Sequence, residues 1–235
     1  MDCKHEDGFE LLLGGIEQLA DAQSPRVPVP SQHGEFDVQR ILVQELITLV
    51  AATCLNAESW RLLNKLGARS FAFRFEFADR SGNFVRLVQA AESMGAYEQA
   101  NRITAGFGIG RLLKERYSGG GLGGVRFEQL READFFLYEL TELEPPQKQD
   151  FFRWIPPLFP LGDKGSTAIG WIRRCKSASW LEKVAGAMGM NVATFKSRYE
   201  ERWAHVAEIF RESWWSLGHD LNWILIEPKD LGTQS

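Results

Sequence analysis

From Ser70 to Phe77 the chain reads SFAFRFEF, a strict alternation of phenylalanine with other residues. Phe71, Phe73, Phe75 and Phe77 share one side of an extended backbone; Ala72, Arg74 and Glu76 take the other. That period of two marks a half-buried strand. A strand has main-chain N–H and C=O groups to satisfy, so this segment demands a pairing partner. Val125–Leu130 and Trp223–Ile226 are the candidates. The four phenylalanines serve a packed core, or else stack bases as sheet aromatics do in some RNA-binding modules.

Elsewhere the period is helical. Phe9 to Ala22 predicts a short helix weakened by Gly14 and Gly15. Ser24 to Gly34, SPRVPVPSQHG, then excludes helix and favours an extended linker. Phe36 to Cys54 predicts an amphipathic helix with Phe36, Ile41, Leu42, Leu46, Leu49 and Val50 on one face. Asn56 caps a following helix, Ala57–Leu66, which Gly67 stops. Asp79–Asn83, DRSGN, reads as a turn. Helices are expected over Phe84–Met94 and Tyr97–Tyr117, the second interrupted by Gly106, Gly108 and Gly110, and again from Phe127 to Leu143.

The fold class expected is mainly α with a small β element: a helical bundle, a short sheet and a C-terminal helical hairpin. Residues 1–34 form an N-terminal segment and linker, and 35–144 a helical domain with the Phe-rich strand. After a break at Pro145 and Pro146, residues 151–235 form a Trp-rich C-terminal domain carrying seven of the eight tryptophans. The hydrophobic share, 44%, suffices for a packed core, and the net charge of −4 argues against a general nucleic-acid coat. Three scattered cysteines, Cys3, Cys54 and Cys175, suggest reduced thiols rather than a disulfide frame or zinc cluster. The polar N-terminus is not expected to act as a signal peptide, and the run Leu46–Leu55 is too short to span a bilayer. A cytoplasmic protein without membrane contact is the expectation.

The stretch Trp180–Trp203, WLEKVAGAMGMNVATFKSRYEERW, predicts two helices around a tight turn. Val184, Ala185 and Met188 give the first helix an apolar face. Gly189 ends it in the left-handed region, and Asn191 caps the second. Phe195 and Tyr199 continue inward. With small Ala185 at the crossing, Gly189 in the turn, and Met190 and Phe195 as the buried pair, residues 181–203 resemble the helix-turn-helix of prokaryotic repressors and AraC-type regulators. One position departs: Arg198 stands where that motif buries an aliphatic residue, so Tyr199 must rotate in. The resemblance implies a second helix lying in a DNA major groove. Asn191, Thr194, Lys196 and Ser197 would then meet base edges, while Lys183, Arg198 and Arg202 hold phosphates. Between Asp163 and Ala204 eight basic residues face four acidic ones. Arg173, Arg174 and Lys176 belong to that basic island.

Two further features bear on function. Ser118–Gly124, SGGGLGG, matches GxGxxG in form, but a helix precedes it and a strand-like VRFEQL follows, the reverse of a dinucleotide fingerprint. Flanked by Arg116 and Arg126, the loop is a candidate to wrap a phosphate backbone. Asp220, Glu227 and Lys229 are similar to the acidic-x-lysine signature of metal-dependent nucleases, which implies carboxylates holding Mg²⁺ and a lysine steadying developing charge. No HExxH, CxxC, GxSxG or P-loop occurs, so no cofactor, metal or catalytic residue is assigned. The leading expectation is a non-enzymatic DNA-binding regulator or subunit of a nucleoprotein complex. The alternatives are an adaptor contacting protein through an acidic helix at 128–144, and, as a minor one, an Mg²⁺-dependent nuclease.

Overall fold

In the computed structural model the alternating segment forms β1 (Phe71–Phe75), and its partner is the very next stretch of chain. β2 (Ala78–Gly82) pairs with it antiparallel, Phe71 opposite Gly82 and Phe75 opposite Ala78. The expected turn DRSGN is therefore mostly strand, and residues 76–77 lie outside the described residues. The reason is exposure. Asp79, Arg80 and Ser81 lie in solvent, so β2 supplies main-chain partners without needing apolar side chains. An Arg74–Asp79 pair at 3.1 Å joins the two strands. Phe71 and Phe73 are buried in the core and are not a base-stacking platform.

The structure describes residues 3–23, 35–75, 78–88, 94–102, 108–120, 124–140, 158, 161, 169–212 and 225–234. It is 73% helical with ten helices and this one two-stranded sheet among those residues, which is mainly α with a small β element. α1 (Cys3–Asp21) is longer than its glycines suggest. It packs on α2 (Asp37–Asn56) and β1 through Phe9, Leu13, Ile16 and Ala20. A second flank of α1 meets α3 (Trp60–Ala68) by charge. Glu6 pairs with Arg61 at 2.8 Å and Lys65 at 3.0 Å, Glu10 with Arg69, and Glu17 with Arg69 at 3.3 Å.

α2 is central, touching α1, α3, α4 (Phe84–Leu87) and α7 (Phe127–Leu140). Its most buried apolar residues are Val43, Ile47, Ala51 and Ala52, followed by Val50 and Cys54, whereas Ile41, Leu42, Leu46 and Leu49 are half-buried. A helix packed on several sides has no single apolar stripe, so the expected face was misplaced. By length and composition α2 could cross a membrane, yet half of that stretch is buried within the fold. Its buried Glu45 accepts the Tyr117 hydroxyl at 2.8 Å and pairs with Arg116, anchoring α6 (Gly108–Tyr117).

Several expected boundaries shift. α3 starts at Trp60, and Asn56 ends α2, its side-chain oxygen accepting from Gln129 at 2.8 Å instead of capping α3. The expected helix 97–117 is two, α5 (Met94–Asn101) and α6, linked by the Glu98 carboxylate accepting the Gly108 N–H at 2.7 Å. VRFEQL is no strand: it opens α7, whose first turn is fixed by Gln129 reaching back to the Arg126 N–H at 2.8 Å. A helix thus follows the glycine run, but α6 precedes it, so the strand-first order of a dinucleotide fingerprint is still unmet.

Beyond the Pro145–Pro146 break, itself outside the described residues, come α8 (Gly170–Arg174), α9 (Ala178–Ala187), α10 (Val192–Glu212) and a 3₁₀ turn, Pro228–Asp230. Trp223 lies outside the described residues, and buried Leu225 and Ile226 are not in a strand. Side chains from both sides of the break share one core. Trp171 packs edge-on against Phe136 at 5.2 Å, and Trp180 against Trp60 at 5.0 Å.

Candidate nucleic-acid interface

Gly189 closes α9 at φ +71. The Met190 N–H reaches the Ala185 carbonyl and the Gly189 N–H that of Gly186, a Schellman pair that satisfies the last carbonyls of the helix. The turn also rests on α3, where the Asn64 amide donates to the Ala187 carbonyl at 3.3 Å. Asn191 then caps α10, its Oδ1 accepting the Thr194 N–H at 2.8 Å. Val184, Ala185, Phe195 and Tyr199 are buried, and Tyr199 donates to the Ile226 carbonyl at 2.8 Å. Tyr199 fills the inward position as the sequence requires.

The outer side of the first two turns of α10 carries Thr194, Lys196 and Ser197, all exposed. Asn191 is exposed too, with its side-chain oxygen engaged in the cap. Lys196 extends along the chain's returning segment, its ammonium beside Gly232. That segment is tied in place by the Gly232 N–H on the Cys175 carbonyl at 2.8 Å and the Gln234 N–H on that of Lys176 at 2.8 Å.

Of the two α10 arginines expected to hold phosphates, Arg202 is buried and Arg198 half-buried. Arg202 is 1% exposed, donates to the Tyr138 carbonyl and pairs with Glu139 at 3.6 Å, so it belongs to the core. Arg198 is half-buried, and its positive charge also acts on the Glu139 carboxyl. Burial pushes the Glu139 carboxyl up to about 7 against the opposing pull of Arg202 and Arg198.

The rest of the basic set divides. Arg174 and Lys183 are brought together by one acidic residue, Glu58, at 3.1 and 4.0 Å. Lys176 pairs with Asp230 at 3.3 Å, and Arg116 with buried Glu45. Arg173 and Arg126 are exposed. Arg116 and Arg126 stand at the α6–α7 junction, on elements other than the hairpin. Glu58, Asn64 and Trp60 escaped the sequence reading because their partners lie more than a hundred residues away, and no local pattern encodes such contacts.

The acidic helix does not present the expected face. Asp134 and Glu139 are buried, Glu128 and Glu132 half-buried, because α7 packs against α2; Glu142 and Glu144 lie outside the described residues. Glu227 pairs with Lys229 beside the 3₁₀ turn, and Asp220 lies outside the described residues. Cys54 and Cys175 are free and buried. Comparisons with protein-family models, curated proteins and solved structures gave no match.

Proposed function

We propose that this protein binds nucleic acid, DNA in particular, through the outer side of the first two turns of α10, acting as a cytoplasmic, non-enzymatic regulator or nucleoprotein subunit. One observation carries the reading: Thr194, Lys196 and Ser197 face outward on a capped helix, and residues 190–199 contain no carboxylate. A helix N-terminus of this kind offers hydroxyl and ammonium donors to groove edges and a favourable dipole to phosphates. The turn geometry supports it further, since α9 and α10 pack on each other and Ala185 and Phe195 are both buried. Phosphate contacts are few: Lys196, Arg173, and the Arg174–Lys183 pair. Binding therefore depends on fit more than on charge. Fluorescence anisotropy with labelled duplex DNA tests this: Thr194→Ala with Lys196→Ala weakens binding, and unchanged affinity in that variant rejects α10 as the contact.

A further inference from the structure

The corner between α8 and α9 holds a carboxylate where its chemistry also suits a phosphate. The Arg174 guanidinium carbon sits over the Trp180 ring, 3.3 Å from its centroid, so the cation is held on the indole face. That indole is itself fixed. Its N–H donates to the Trp171 carbonyl at 2.9 Å, and Trp60 packs edge-on against it. Lys183 reaches the same ring from the next turn, its ammonium 5.8 Å from the centroid. Two cations on one rigid aromatic floor make a bidentate and a point-charge donor, the pair that phosphate oxygens accept.

Glu58 fills this place from another part of the chain, one oxygen on Arg174 and the other toward Lys183. Its backbone lies at φ +51, a region costly for a side chain of this size. Arg174 and Lys183 remain 57% and 53% exposed and Glu58 43%, so each contact is weak and readily exchanged.

We infer that Arg174 and Lys183 form a phosphate site on the Trp180 floor, with Glu58 as its internal occupant, displaced when a phosphate binds. The inference rests on the nucleic-acid reading above and adds to it a second contact, at the corner between α8 and α9. The phosphate is a backbone group of duplex DNA or a free phosphate ion, and the two are separated by experiment.

Labelled duplex DNA and, separately, inorganic phosphate are titrated into the full chain and its Glu58→Gln and Glu58→Gly variants. The glycine variant suits the left-handed backbone, so loss of fold cannot mimic loss of charge. Both variants are expected to bind duplex about threefold to tenfold tighter than the parent at low salt, a gain abolished by adding Arg174→Ala. If Glu58 variants match the parent within about twofold while Thr194→Ala with Lys196→Ala still weakens binding, the α10 reading stands and this inference falls. If no form binds duplex, the phosphate titration decides. A saturable shift of the Trp180 indole N–H resonance in Glu58→Gln, absent when Arg174→Ala is added, keeps the site as one for free phosphate; no shift overturns it.

Discussion

Arg202 on α10 and Glu139 on α7 face each other with Nε 3.6 Å from Oε2, both side chains within 3% of complete burial. The guanidinium also lies over the Tyr138 ring, 4.8 Å from its centroid. Truncating the arginine strands a buried carboxylate. Arg202→Ala is expected to cost about 3–5 kcal/mol, whereas Glu139→Leu combined with Arg202→Met costs far less. Urea unfolding of the two variants measures this, and a loss below about 1 kcal/mol in Arg202→Ala contradicts the buried-pair account.

The same carboxyl gives a pH dependence of defined sign. Its folded value, about 7, lies above the unfolded one, near 4.5. The folded state therefore holds the proton more tightly between those values, and this group's stabilisation, complete below pH 4.5, is lost as pH rises through about 7. The difference in unfolding free energy between the parent and Glu139→Gln should fall across that window by up to about 3 kcal/mol. A difference that stays flat, or rises, refutes the assignment.

Two glycines of the hairpin should respond in opposite directions. At Gly189, φ +71, an added Cβ meets only Asn64 at 3.5 Å, so the cost of Gly189→Ala is conformational, about 1–2 kcal/mol. Gly186 is helical with open space around it, and Gly186→Ala should stabilise by up to about 1 kcal/mol. Thermal unfolding of the two single variants separates them; similar effects at both positions would count against the left-handed turn.

DNA affinity should fall about tenfold or more for Thr194→Ala with Lys196→Ala, and stay unchanged for Arg126→Ala. With two to four phosphate contacts, the slope of log affinity against log salt should lie near −2 to −4. A slope much steeper than that points to a broader basic surface than the hairpin.

The pattern of helices was legible wherever local chemistry set it. Asn191 and Gly189 announced the hairpin, and both do what their residue types imply. β2 was not legible, since an exposed edge strand requires only backbone, and Ala78–Gly82 carries the polar residues of a turn. The inward-facing side of α10 was half legible. Phe195 and Tyr199 declared themselves by spacing, but Arg202 looked like a surface cation because its counter-charge, Glu139, is sixty-three positions earlier. The contact of Glu58 with Arg174 and Lys183 was hidden for the same reason.

α3 has two clients. Its Asn64 holds the end of α9, while Arg61, Lys65 and Arg69 grip α1. Adding or removing one residue between Asn64 and Lys65 would turn the downstream part of the helix by about 100° relative to the upstream part. Arg61 and Asn64 could then keep their partners only if Lys65 and Arg69 surrendered theirs. Length changes in this helix should consequently be far less tolerable than in the connections around it, tying the register of the first helix to that of the hairpin.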